Sequence, residues 1–310
     1  MTAAAGRRPL RWRDFLPELA IACASILYGA TFVLVQDALD HTTPSAFNML
    51  RFALGALVLA PFALRRGWRG PAPRAGDSAG TLVRAGVAIG AVAWAAYLAQ
   101  NIGLEHTTTS SSAFITGLFA VFTPVLEVLI FRRRPRLATA VAVAIAVVGL
   151  LLLTGARPAA NVGDAVTLLS AVAFGMWFIQ IGLFTTRFDV ITLVTVECCV
   201  VALLSMPIAL AQGWGSLSGD VWLALLFTGI GCSAIAFCLS TWAQRRVEPS
   251  RASLLNLLEP VVAGFVGYAV GERLGIGGYA GATLILVAMA VAESGAWRAV
   301  AARALPRDRA

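Results

Sequence analysis

The sequence predicts an all-α membrane protein of ten transmembrane helices, built as two inverted five-helix repeats. Three observations carry that expectation. Apolar residues arrive in blocks of about twenty, the length that spans a hydrocarbon core of ~30 Å. Arginines fall almost wholly to one side of those blocks, and the chain matches itself when shifted by roughly half its length. Bulk composition agrees: of 310 residues, 59% are hydrophobic and only 13% charged, with a mean hydropathy of +0.81. A soluble domain carries about a quarter charged residues, so this chain lacks the polar surface to meet water on all sides.

Taken in order, the apolar blocks are 16–37, 44–64, 82–104, 109–131, 137–154, 164–185, 190–211, 219–243, 252–270 and 276–297. The first follows Arg7, Arg8, Arg11 and Arg13, a start shared with secretory signals. Its apolar run continues to Val35, too long for a signal's core, and is read as a retained helix. Most connections are short. The longest internal one, Arg65 to Thr81, is rich in Gly, Pro and Arg and too small for a domain. The expected plan is a cytoplasmic N-terminal segment 1–15, a first repeat 16–155, a second repeat 156–297 and a cytoplasmic tail 298–310.

All 24 basic residues are arginine. Without lysine there is no Schiff-base chemistry. A net charge of +8 would suit nucleic acid in a soluble protein, but here the arginines sit between apolar blocks and act as topology determinants. With the N-terminus inside, 21 arginines fall on the cytoplasmic side and only Arg157 and Arg273 on the other. That asymmetry places both termini in the cytoplasm of a multi-pass protein, expected in a bacterial inner membrane, with lipid and not nucleic acid as its surroundings. Most tryptophans lie near block ends as an aromatic belt, whereas Trp94 and Trp177 sit mid-block. The cysteines (Cys23, Cys198, Cys199, Cys232, Cys238) are all in apolar blocks and behave there as small apolar residues; neither a metal site nor a cofactor is expected.

A shift of 146 residues aligns Gly29 with Gly175, Phe32 with Phe178, Ala56 with Ala202, Leu57 with Leu203, Pro61 with Pro207 and Leu64 with Leu210. At a slightly different offset Thr123-Pro124-Val125 faces Glu259-Pro260-Val261. Five blocks per half is an odd number, so the halves must be inverted, as in secondary transporters whose sites lie near the midplane.

Several stretches resemble the EamA-type members of the drug/metabolite transporter superfamily. They are Leu27-Tyr28-Gly29-Ala30-Thr31-Phe32, Leu50-Arg51-Phe52, Gly103-Leu104-Glu105-His106-Thr107-Thr108-Thr109, Ala113-Phe114-Ile115-Thr116-Gly117-Leu118, Asn256-Leu257-Leu258-Glu259-Pro260 and Gly271-Glu272-Arg273-Leu274. The chain departs from the pattern at Arg132-Arg133-Arg134-Pro135-Arg136-Leu137, where the first half would carry its own Gly-Glu-Arg-Leu. The resemblance implies ten helices around a central cavity, alternating access, and export or uptake of amino acids or related metabolites.

Ionisable groups at membrane depth mark candidate function by default. Arg51 and Glu197 occupy repeat-equivalent positions, each about seven residues into its helix and so ~10 Å deep from opposite faces, which leaves a direct pair unassured. Arg51 has snorkelling or a backbone carbonyl as its plain alternative, and Glu197 has no evident partner. Glu259 is the strongest candidate: it precedes Pro260, which frees the carbonyl of Asn256, as Pro124 frees that of Ala120. Glu259 is placed to bind a substrate ammonium or to carry a coupled proton. Tyr28, Trp94, Tyr97 and Trp177 make a candidate aromatic pocket, with Thr31, Gln100, Asn101, Gln180 and Asn256 as polar lining. Helix-to-helix hydrogen bonding is the plain alternative for any one of these. Glu127, one turn before Arg132, is expected in an interfacial ion pair.

A transporter of a small-molecule substrate is therefore expected, as a monomer or homodimer. A passive channel or facilitator is the alternative. A membrane enzyme is disfavoured because no His or Asp lies deep in a block, and no nucleotide-phosphate loop is present to supply ATP drive.

Overall fold

The computed structural model describes residues 15–107, 109–132, 136–155, 161–269 and 275–304. Helix runs along each of the expected blocks: α1 (Leu16–Ala30), α2 (Phe32–Leu39), α3 (Pro44–Arg66), α4 (Ala79–His106), α5 (Thr109–Gly117), α6 (Phe119–Phe131), α7 (Leu137–Thr154), α8 (Val162–Phe184) and α9 (Val190–Gln212). There follow α10 (Gly219–Leu226), a π-helical stretch Phe227–Ala236, α11 (Phe237–Ala243), α12 (Pro249–Asn256), α13 (Leu258–Ala269) and α14 (Ile276–Ala304). Among the described residues there are seven helical runs long and apolar enough to cross a bilayer. The first, fourth and ninth blocks are each broken into two helices, and the tenth gives a shorter apolar run, Ile276–Ala292.

Local chemistry sets the ends. Thr43 caps α3, accepting from the Ala46 N–H, and Pro44 stands in the first turn, where its missing N–H costs nothing. Ser78 and Thr81 cap each other's backbone at the start of α4. Asn161 accepts from Asp164 N–H at 2.8 Å, and Asp189 from Thr192 N–H at 3.1 Å, to start α8 and α9.

The polarity of the bundle is the reverse of a soluble protein's. Leu64, Leu129, Leu137 and Val162 are exposed on the outside, as lipid contact requires and water would not tolerate over so wide a surface. Inside lie Ser25, Asn48, Arg51, Glu197, Ser233 and Asn256.

Two loop clusters stand at opposite ends of α3. At one end the 40–43 turn meets 213–216: Thr42 Oγ1 donates to Trp214 O and Thr43 Oγ1 to Gly213 O, both at 2.7 Å, and Ser216 N–H donates to His41 O at 2.7 Å. At the arginine-rich end the 67–78 loop lies along 185–189. Gly70 N–H donates to Arg187 O at 3.1 Å, Ala72 N–H to Thr186 O at 2.8 Å and Asp189 N–H to Trp68 O at 3.0 Å. Arg187 grips the Asp77 carboxylate with two nitrogens while its guanidinium covers the Phe184 and Phe188 rings. Two further ion pairs join Arg136 to Glu248 at 2.9 Å and Arg251 to Glu18 at 3.1 Å. Glu127, expected beside Arg132, accepts the Ser250 hydroxyl from across the bundle.

The Arg187 guanidinium holds the Asp77 carboxyl below the usual aspartate range. A lowered folded-state value means the pair's contribution stands at neutral pH and is lost only as pH falls through that lowered value. Asp77→Asn is therefore expected to speed hydrogen exchange at the Gly70 and Ala72 amides at pH 7, by a modest factor of roughly two to five. As pH falls through that lowered value the wild-type protein should approach the variant; amide exchange read by mass spectrometry checks both statements.

Candidate functional site

The helix interruptions and the buried polar groups converge. Pro260 has no N–H to offer the Asn256 carbonyl, and the chain breaks between α12 and α13 at Leu257, whose N–H falls back to Leu254 O at 3.2 Å. The first block breaks at Thr31, where both the backbone N–H (3.1 Å) and Oγ1 (2.7 Å) turn to the Tyr28 carbonyl. Facing that break is the π-helical stretch, an irregularity common at functional positions: Cys232 Sγ approaches Leu27 O at 3.6 Å and Thr31 Oγ1 at 4.0 Å. Gly29 closes the contact with α13, for a Cβ there would lie 2.5 Å from the Glu259 carbonyl. The fourth block breaks at Leu118, ahead of Pro124, which lies inside α6; Thr123 Oγ1 bonds the Phe119 carbonyl at 2.7 Å. Leu118 and Leu257 both line one shallow apolar groove, with Ala120, Val143 and Leu150.

Around these breaks the side chains form a connected set. Ser25 Oγ donates to Asn256 Oδ1 at 2.9 Å, and Asn256 Nδ2 donates to Glu259 Oε2 at 3.4 Å. Arg51 is 8% exposed; its Nε donates to Ser233 Oγ at 3.3 Å in the π stretch. The guanidinium carbon lies 4.9 Å from the Phe52 ring centre and 5.2 Å from that of Tyr97. It stands within electrostatic reach of Glu259 and Tyr97. Among the described residues no carboxylate comes within salt-bridge distance of it.

An aromatic chain runs through the same region, by edge contacts except at Trp177. Tyr97 meets Phe174 at 5.1 Å and Phe52 at 5.3 Å; Phe52 meets Phe237 at 5.7 Å. Phe237 in turn meets Trp177 at 5.2 Å and Tyr28 at 6.2 Å. Thus three of the four expected aromatics, Tyr28, Tyr97 and Trp177, are brought together, with Phe52 and Phe237 as links. Trp94 is half-buried; its indole N–H is enclosed with no hydrogen-bond partner among the described residues.

Glu197 has the partner that spacing alone did not disclose. Trp177 Nε1–H donates to its Oε1 at 2.5 Å, joining α8 to α9. Arg51 and Glu197 form no ion pair among the described residues; their depths from opposite faces had left a direct pair unassured. Of the polar lining, Gln100 Nε2 donates to Thr116 Oγ1 at 3.4 Å. Gln180 keeps a buried, unpartnered Oε1, and Asn101 is half-buried with no side-chain bond to the cluster among the described residues. Ser25, Ser233 and Cys232 were not expected at the site; nothing in their spacing sets them apart from other small residues in apolar helices.

The profile of the EamA-like transporter family matches residues 16–155 and again 161–293. The chain belongs to the EamA-like transporter family. An uncharacterized transporter of Archaeoglobus fulgidus is 29% identical to it over 276 residues, covering 88% of this chain and 84% of the relative. Another from that organism is 25% identical over 284 residues, covering 91% and 96%. One solved crystal structure superposes with a TM-score of 0.75 over 91% of this chain and 98% of its own, at 20% identity, a likeness of fold. EamA-like chains and these relatives are transporters, not enzymes. For this EamA-like transporter, then, the buried polar and aromatic cluster is the candidate place for a solute.

Proposed function

We propose that this EamA-like protein is a secondary transporter moving an amino acid or a related small metabolite by alternating access, with export as its direction. The observation that carries this is the meeting of the Thr31 break, the π stretch and the Leu257 break around Asn256 and Glu259. Interrupted helices free backbone groups for a ligand at mid-depth, where transporter sites lie.

Two inverted five-helix halves, 16–155 and 156–297, are part of the proposal, with ten crossings around a central cavity, both termini cytoplasmic and the chain in a bacterial inner membrane. The close glycine contacts support the inversion. A Cβ on Gly90 would meet Val200 and the Glu197 carbonyl, and one on Gly229 would meet Leu54 and the Arg51 carbonyl. These partners are related by the same 146-residue shift. The loop contacts support it too. The loop after α3 docks on the turn before α9 at one end, while the loop after α9 docks on the turn before α3 at the other. Proton coupling is assigned to Glu259.

The test is flux into and out of proteoliposomes over a panel of amino acids, with and without a pH gradient. Saturable flux of at least one amino acid, enhanced on imposing the gradient, is expected. No amino-acid flux from correctly folded protein overturns the cargo class. Saturable flux indifferent to the gradient makes the protein a passive facilitator.

A further inference from the structure

We infer that Arg51 is the anion anchor of this site: its guanidinium binds a carboxylate carried by the transported solute. The inference deepens the transport proposal and rests on it.

A guanidinium at membrane depth is costly unless paired, and protein interiors pair it with a carboxylate or a set of hydrogen-bond acceptors. Arg51 has five N–H donors. Within the described residues only Nε is engaged, by the neutral hydroxyl of Ser233 at 3.3 Å. The ring faces of Phe52 and Tyr97 stabilise the charge without accepting a hydrogen bond in the guanidinium plane. The fork therefore lacks the acceptor its geometry matches best, a carboxylate bound by two parallel N–H groups.

The two acidic residues nearby are occupied otherwise. Glu197 takes the Trp177 N–H, and Glu259 takes the Asn256 amide. Counting ~1.5 Å of rise per residue from the ends of α3 and α12, Arg51 and Glu259 are separated along the bundle by on the order of 10 Å. Their charges interact, and among the described residues no salt bridge joins them. A solute carboxylate held in the Arg51 fork by charge-assisted bonds of ~2.8 Å fits within such a gap and leaves Glu259 free to carry its proton. The edge-packed rings of Tyr97, Phe52 and Phe237 offer the apolar wall for the rest of it.

The plain role is a brace: Arg51 tying α3 to the π stretch through Ser233. Chemical selectivity tells the two apart. Proteoliposome uptake would be measured for four probes of one shape: leucine, its methyl ester, isoamylamine (no carboxylate) and 4-methylpentanoate (no ammonium). The native protein is expected to favour leucine over both the ester and the amine by about tenfold or more. Arg51→Gln should remove that preference by slowing leucine, and Arg51→Lys should restore part of it, since Lys keeps the charge without the fork. If Arg51→Gln does not fold, the native selectivity and Arg51→Lys still decide. Equal native uptake of leucine, ester and amine overturns the anchor and leaves the amino-acid proposal standing. Uptake of 4-methylpentanoate but not leucine, sensitive to Arg51, keeps the anchor and overturns the amino-acid proposal. Preference for leucine undiminished in a folded Arg51→Gln variant makes Arg51 a brace. Folded native protein that moves none of the four, and no amino acid of the wider panel, overturns both.

Discussion

Replacing Glu259 with glutamine is expected to cut pH-gradient-driven flux about tenfold or more, the loss of one proton carrier, while counterflow at equal pH stays near the native rate. Glutamine has nearly the same shape as glutamate. Its amide oxygen can still accept the Asn256 Nδ2–H bond, found at 3.4 Å in the native protein. Through Asn256 the Ser25 hydroxyl keeps its place as well. Gly29 packs against the Glu259 backbone, which the substitution does not touch. What disappears is a group that can gain and lose a proton opposite the fixed charge of Arg51. A change in the gradient response without a change in counterflow therefore separates coupling from folding and from cargo binding. Counterflow that collapses too makes Glu259 a binding group; a full gradient response in the variant moves the coupling to another carboxyl, Glu197 being the next buried one.

How much of this was legible beforehand depends on the range of the interaction concerned. The helical blocks were readable because hydrocarbon thickness fixes their length, and α7 begins and ends where hydropathy places it, at Leu137 and Thr154. The break before Pro260 was readable because a missing N–H acts locally, on the carbonyl four residues back. The break at Thr31 has no proline. It depends on a hydroxyl returning to its own chain at Tyr28 and on Cys232, about two hundred residues away in sequence, lying alongside. The π stretch at Phe227–Ala236 likewise reflects packing against α1 and α3, which no local pattern encodes. Glu197 seemed partnerless because an indole twenty positions earlier becomes its neighbour only when α8 and α9 both pack against α4. The candidate residues were thus visible one at a time as polar groups in apolar sequence. Their grouping was not, because it is set by helix crossings; Trp94 and Asn101 look no different from Tyr97 until those crossings are known.

Those crossings are what the second large effect probes. Gly90→Ala and Gly229→Ala are each expected to destabilise the protein by ~1–3 kcal/mol, the usual range for overfilling a packed interior. Helix propensity alone gives the opposite sign, since alanine is favoured over glycine by about 1 kcal/mol within a helix. The contacts decide. A Cβ on Gly229 would lie 2.9 Å from Leu54 Cβ and 3.0 Å from the Arg51 carbonyl, and one on Gly90 would lie 2.7 Å from Val200 Cβ and 2.9 Å from the Glu197 carbonyl. These obstacles are backbone and Cβ atoms, which cannot swing aside as a side-chain tip can, so α3 must part from the π stretch and α4 from α9. Gly219→Ala is the control: its Cβ would meet nothing within 4 Å, so it should melt like the native protein or slightly higher. Thermal unfolding in detergent, followed for all three, checks the order. Because the strained carbonyls belong to Arg51 and Glu197, both variants should also weaken transport before they abolish folding. If the two halves are equivalent under inversion, the losses at Gly90 and Gly229 should be alike. A loss at Gly90 alone would mean that the π stretch has slack its counterpart in α4 lacks: ten residues wound wide can shift a crossing that a regular α-helix holds rigid.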